Sequence, residues 1–411
     1  MSAGVTSSGG GDGKQWAWLG LLKWTLAHQD GTRPSNESPT MMSDEDKAFL
    51  EKVMAEGVID ESERMRFVLQ EFSKAMEYYK NQSQQQAEGN DATATATATA
   101  TTAEEKEEQS LSPPVSEDDL EVLLQELRDI VEQVDFARGF VNMKGCSYLL
   151  GAISETTTTT SSSSSSLPII PVGIRNMCLG ILATLAQNNP PVQKELVELG
   201  AIKTLSDIFL IDSTPLSTKT KIMQAVSAIV RCYDLTEAVF EQLPQAPVLM
   251  VHGLSSDPAI ANASLRAKTL FFMRAFLTAD NATPARANTF RHAIAMIADT
   301  DSQYLNDNSN NNNKTDGNAA DDFIAIQLRE SAIALLQQLL ERRMAVTLLL
   351  QRKQHLASLG IQRIQQLRAA KGEEAESTKT ELQHWESFLI LLARAEPEEE
   401  IIDDKPKNLI M

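Results

Sequence analysis

The sequence predicts an all-α fold: an armadillo/HEAT-like α-solenoid of about four repeats, with an N-terminal helical segment and disordered linkers. Three observations predict it. Ile174, Met177, Cys178, Ile181, Leu182 and Leu185 recur every three or four residues, which places them on one face of an α-helix. The stretch 171–210 reads as three short helices: that one, a second over Glu195–Leu199 stopped by Gly200, and a third carrying Ile202, Leu205, Ile208 and Phe209. Such short helices cannot bury their apolar faces alone and need stacked copies of themselves. The copies are marked by a basic residue ahead of each first-helix face: Arg175, Lys219, Arg266 and Arg329. They lie 44, 47 and 63 residues apart, and the last step falls to 48 without the Asn-, Asp- and Ala-rich stretch 306–320. A period of roughly 40–47 is the mark of HEAT and armadillo arrays.

The elements follow in order. Residues 1–14 form a Gly/Ser-rich leader, expected to be disordered. Residues 15–80 form a Trp-rich, helical segment, in which Trp18, Leu22 and Leu26 line up on one helix face before Gly31 and Pro34 end it. Either this helix docks, or its tryptophans anchor a partner. Two or three helices follow from Ser43, through Phe49, Val53 and Met54 and then Met65, Val68, Leu69, Phe72 and Met76. Residues 81–116 are a linker of Gln, alternating Ala-Thr and Glu-rich sequence that cannot offset the entropy of ordering it. The repeat domain spans 117–395. It opens at Ser116-Glu117-Asp118-Asp119 on an amphipathic helix, and the tail of a first, irregular repeat follows over Val134–Ile153. Insertions are expected at 155–167 and 304–320, on loops between repeats. One long apolar-faced helix is expected over Phe323–Leu350, continued by Ile361, Ile364 and Leu367. A last helix carries Leu382, Trp385, Phe388, Leu389 and Leu392. Residues 396–411 are an acidic tail.

Composition narrows the function. A net charge of −19 argues against nucleic acid and against an anionic membrane, both of which call for basic surface. The dozen residues Trp16–Ala27 include Lys23 and are too short and polar to span a bilayer. With no secretory signal apparent, the cytoplasm is the expected location. Cys146, Cys178 and Cys232 are far apart and read as small buried hydrophobes in a reducing compartment. The five histidines are isolated, no HExxH or GxSxG occurs, and no metal or cofactor site is expected. The glycines before Lys14 fail as a phosphate loop, since Gln15 stands where Ser or Thr must meet magnesium. The chain is therefore expected to be a binding protein and not an enzyme. Arg175, Lys219, Arg266 and Arg329 occupy equivalent repeat positions. They are either solvated helix starts and local ion-pair partners, or a row of cationic contacts for an acidic partner.

Four motifs appear in sequence order: Trp18-Leu19-Gly20-Leu21-Leu22-Lys23-Trp24-Thr25-Leu26-Ala27, Val134-Asp135-Phe136-Ala137, Gln187-Asn188-Asn189-Pro190 and Leu265-Arg266-Ala267. Together, around a four-repeat array, they resemble the armadillo-type nucleotide exchange factors of heat-shock protein 70 chaperones, the cytosolic Fes and heat-shock-protein-70-binding-protein family. The resemblance covers most of 16–395. It implies a monomeric co-chaperone whose solenoid clasps one lobe of the chaperone's nucleotide-binding domain, so that ADP leaves, ATP enters and client is released. It implies partner contacts at Asp135, Ala137, Arg138, Asn188, Asn189, Arg266 and Lys268, alongside the basic row of Arg175, Lys219 and Arg329. Ala137 would be small for close approach. Trp18, Leu22, Trp24 and Leu26 would form a client-release segment. The alternative is an armadillo-repeat scaffold or adaptor without exchange activity. An importin-like adaptor fits poorly, since 117–384 contain no tryptophan for a peptide-reading ladder. The chain departs from the family in its expanded linker and loops, and in having Lys219 where Arg is expected.

Overall fold

The computed structural model describes residues 48, 60–91, 115–155, 169–299, 304–305 and 319–396. Among the described residues there are eighteen helices and no strand. Met1–Arg66 and Phe67–Met411 are separate compact units. The first carries the N-terminal end of α1 (Glu61–Asp91), where Asp60 Oδ1 accepts from the Ser62 and Glu63 amides. The Trp-rich residues Trp18, Leu22, Trp24 and Leu26 lie outside the described residues, as does all but Ala48 of the expected helices over 43–59.

The second unit starts within α1. From Phe67 onward Val68, Phe72 and Met76 are buried, Phe72 meets Tyr148 edge-on at 5.8 Å, and Lys80 pairs with Glu155 at 2.6 Å. The expected division at residue 80 is thus corrected: the helix runs on to Asp91, because the Gln run that reads as linker is a good helix former. Then comes α2 (Glu117–Val131). Ser116 caps it, its Oγ accepting from the Asp119 amide at 3.1 Å.

Four triads of two short helices and one long helix follow. They are α3 (Val134–Asn142), α4 (Gly145–Ser154) and α5 (Val172–Ala186); α6 (Pro190–Glu198), α7 (Ala201–Leu210) and α8 (Leu216–Val230); α9 (Asp234–Gln242), α10 (Gln245–Gly253) and α11 (Ala263–Leu277); and α12 (Pro284–Thr289), α13 (Arg291–Ala298) and α14 (Ala319–Glu341). Each long helix packs on the next, giving a row α2, α5, α8, α11, α14. The short helices form their own rows, α3 against α6 against α9 and α4 against α7 against α10 against α13. This arrangement is an all-α, armadillo-like solenoid. Its core runs continuously from Leu120 and Leu124 through Ile181 and Val226 to a four-ring cluster, Phe240, Phe272, Phe276 and Phe290, with centroids 5.1 to 6.0 Å apart. At the far end lie α15 (Val346–Gln351), α16 (Lys353–Ala369), α17 (Glu373–Ser377) and α18 (Lys379–Arg394), with α18 closing the long-helix row against α14.

Several expectations are corrected. The second short helix, expected over Glu195–Leu199, begins five residues earlier, because Pro190 and Pro191 occupy the first turn of α6, where a missing N–H costs nothing. The helix expected over Phe323–Leu350 breaks after Glu341, where Arg343 (φ 54°) and Ala345 (φ 52°) adopt left-handed backbone with no Gly or Pro to announce it. The expected insertion 304–320 is shorter than it reads. Tyr304 and Leu305 are buried, the Tyr304 hydroxyl donates to the Leu254 carbonyl, and α14 begins at Ala319. The residues flanking the other insertion meet directly, the Ile169 amide donating to the Glu155 carbonyl at 3.3 Å. Cys146 and Cys178 are buried, but Cys232 is exposed in the turn after α8 with φ 63°.

Candidate partner-binding face

The four equivalent basic residues do not form an exposed row. Arg175 is 3% exposed, and its Nε and Nη2 donate to the Ile153 carbonyl at 3.1 and 2.8 Å. Lys219 is 5% exposed, with its Nζ 5.8 Å from the Phe209 ring centroid; burial lowers its pKa, and Asp212 only partly opposes that. Arg266, half-buried, donates through Nη1 to the carbonyls of Ala261 (3.1 Å) and Ser255 (3.3 Å). Arg329 Nε lies 3.7 Å from the fully buried Glu381 carboxylate. In the first three triads the cation turns back toward the second short helix of its own triad: Arg175 onto the last turn of α4, Lys219 to the end of α7 at Phe209, and Arg266 onto the loop between α10 and α11. Helix C-termini present unpaired carbonyls and a negative dipole end, so a buried cation there is a structural cap. Periodicity located these residues correctly and left their direction open.

The other candidate contacts divide. Asp135 and Arg138 are exposed on α3, in a short-helix row. Ala137 beside them is 2% exposed and offers a partner almost no surface. Asn188 is exposed with φ 53°, whereas Asn189 is 2% exposed and its Oδ1 finds no donor. Lys268 is half-buried on α11, in the long-helix row. The structure therefore does not gather the whole set on one face.

What the long-helix row does present is a cleft of about 250 Å³ over α5, α8 and α11, lined by Gln187, Gln224, Ser227, Arg231, Lys268 and Phe271. Helix spacing puts them there: Gln224, Ser227 and Arg231, like Lys268 and Phe271, are three or four residues apart and share a helix face. Phe271 is 54% exposed, and the Arg231 guanidinium sits 4.6 Å from its ring centroid, a cation–π stack. Gln193, fully buried on α6, holds this wall. Its Nε2 lies 3.0 Å from the Ala228 and Ile229 carbonyls and 2.8 Å from that of Arg231. Burial pulls the Lys268 ammonium below its ordinary pKa, and the neighbouring Lys221 pulls it further the same way. Burial likewise lowers Arg231. Sequence reasoning passed over Lys221, Gln224, Arg231 and Phe271. The signal was present, as polar residues on the outward positions of successive long helices, but it became readable only once the row was known.

Among the described residues no three of His, Cys, Asp and Glu cluster as metal ligands, and no helix is long and apolar enough to cross a membrane. The arrangement is that of an all-α repeat protein with a polar, cation-bearing cleft on its long-helix row. No protein-family model matches the chain, and no curated protein sequence matches it. Among solved structures it is similar to a designed armadillo-repeat protein in complex with the peptide (KR)4, at 14% identity and a TM-score of 0.43, covering 66% of this chain and 93% of that one. A second designed armadillo-repeat protein is 13% identical with a TM-score of 0.41, covering 68% and 96%. An engineered protein from a structural genomics consortium is 12% identical with a TM-score of 0.43, covering 67% and 93%. The solenoid assignment rests on the helix triads themselves.

Proposed function

We propose that the chain is a co-chaperone: a nucleotide exchange factor that binds the nucleotide-binding domain of cytosolic heat-shock protein 70 through its long-helix face and speeds ADP release. Two things support this reading. The motifs quoted above occur in the family's order around a four-triad array. The observation that carries it is the cleft across α5, α8 and α11, where Lys268 and Phe271 are presented to a partner and not consumed by the fold. The mechanism is linkage. A factor that binds the chaperone's open lobes better than its closed ones weakens nucleotide by the same ratio that nucleotide weakens the factor. No bond is made or broken by this chain. Asp135 and Arg138 on α3 are proposed as a second, peripheral contact, and Trp18, Leu22, Trp24 and Leu26 as the client-release segment. Arg175, Lys219 and Arg329 enter this reading as supports of the array. The protein acts in the cytoplasm, as a monomer and without a cofactor.

The test is stopped-flow release of labelled ADP from cytosolic heat-shock protein 70. Wild type should accelerate release, and Lys268→Met should lose about tenfold of that acceleration, the scale of one close charge pair at an interface. No acceleration by wild type would refute the exchange reading and leave the protein-binding scaffold.

A further inference from the structure

We infer that Lys221, Lys268, Arg231 and Phe271 form a docking clamp for a carboxylate-rich segment of a partner protein. This deepens the protein-binding reading above and rests on it. The chain carries a net charge of −19, and many of its described cations have carboxylate partners: Lys203 with Asp207, Lys194 with Glu198, Arg286 with Glu237, Arg363 with Glu381. Lys221 and Lys268 break that pattern. They stand at the same register on the adjacent helices α8 and α11, and Lys268, its pKa already lowered by burial, is lowered further by the charge of Lys221. Both are half-buried, and holding a half-buried ammonium near a second cation costs stability. A bound anion would relieve that cost.

Arg231 adds a third positive group to the same stretch of the row. Its nearest polar contact is the Ser227 carbonyl at 3.2 Å, one helical turn back. Its guanidinium lies over the Phe271 ring, and a guanidinium anchored in this way is suited to a carboxylate. Phe271 itself is an apolar platform open to solvent, ready to pack against the stem of an incoming Glu. Gln187 and Gln224 at the rim supply amides for a peptide backbone. Neighbouring packed helices lie roughly 8–10 Å apart, and a polyproline II segment has three residues per turn and rises about 3.1 Å per residue, so its residues i and i+3 share a face. Adjacent rungs therefore match carboxylates three residues apart, Glu-x-x-Glu. A nucleic acid carries charge along its whole length, one per about 1.7 Å of duplex axis, and would meet the repulsion of the rest of this acidic chain; a polypeptide can confine a few carboxylates to the clamp, which makes an acidic segment the complementary partner.

The probe is a fluorescein-labelled Gly/Ser peptide carrying repeated Glu-x-x-Glu, with its Gln analogue as control, titrated with the full chain at low salt and read by anisotropy. The Glu peptide should bind, weakening as salt rises, and the Gln peptide should not. The Lys221→Glu/Lys268→Glu variant should lose at least about tenfold in affinity, and Phe271→Ala about threefold. Should the Glu variant fail to fold by circular dichroism, Lys221→Gln/Lys268→Gln replaces it with the same direction of change. Equal binding of the two peptides, an undiminished variant, or no binding by wild type overturns the clamp. So does a large gain in affinity on removing residues 397–411, since the occupant would then be the chain's own acidic end. ADP release separates this from the exchange reading. A chain that binds the acidic peptide but does not speed release retains the clamp and loses the exchange function; one that speeds release equally well in the Lys221→Glu/Lys268→Glu form does the reverse.

Discussion

Replacing Arg175 by Met separates the two roles that a row of basic residues can have. The side chain is 3% exposed and donates twice to the Ile153 carbonyl, at 3.1 and 2.8 Å. Methionine keeps an unbranched apolar stem but leaves that buried carbonyl without its donors. Hydrogen bonds to a charged group contribute about 1.5–3 kcal/mol net, and orphaning a buried acceptor costs a similar amount. Both bonds here end on one oxygen, so the two contributions do not add in full and the expected loss is about 2–3 kcal/mol. The damage falls where α4 meets α5, because each repeat leans mainly on its neighbours. With a urea dependence near 3 kcal/mol per molar, the midpoint followed by far-UV circular dichroism should drop by about 1 M. Lys268→Met is the counterpart. Its ammonium is opposed by burial and by Lys221, so neutralising it should leave the midpoint within roughly 0.5 kcal/mol, as for most surface changes, while ADP release slows. The reasoning fails if Arg175→Met denatures like wild type yet abolishes exchange, for then Arg175 would be a partner contact that the fold can spare.

Two further outcomes follow from buried charge and buried thiols. Arg286 is 4% exposed and binds Glu237 at 2.9 Å, Glu241 at 2.8 Å and the Phe276 carbonyl at 3.1 Å; Arg286→Met should cost about 3–5 kcal/mol because Glu237 is left buried and unpaired. Adding Glu237→Gln should recover part of the loss in a urea double-mutant cycle, and strict additivity would show that the pair is not coupled. Burial pushes the Cys146 and Cys178 thiols up to about 12, Cys146 with help from Glu195. Unfolded thiols titrate near 8.5, so the folded state holds these protons longer. Its stabilisation is complete below about pH 8.5 and is lost as pH rises toward 12. The urea midpoint should fall more steeply above pH about 9 in wild type than in Cys146→Ala/Cys178→Ala; equal slopes would contradict the burial argument.

Spacing alone located the long helices, since Ile174 through Leu185 and their counterparts can be buried only on a helix face and only against copies of themselves. It also located the first-rung cations and the opening of the first helix of the repeat domain at Ser116. Local rules failed where a residue's role is set by a neighbour distant in sequence. Pro190 and Pro191 serve either as a stop or as a start. Arg343 and Ala345 take up left-handed backbone because α14 and α15 must both reach the core. Tyr304 is pulled inward by the Leu254 carbonyl, fifty residues away.

From the sequence by itself come the helical class, the period, the four-triad count and the equivalence of Arg175, Lys219, Arg266 and Arg329, because all of these are properties of patterning along one dimension. Only the tertiary structure decided which way those cations turn and which side chains the cleft exposes. A helix end seeks charge from whichever neighbour is stacked beside it. Lys221, Lys268, Arg231 and Phe271 become a single surface only when α8 and α11 lie side by side.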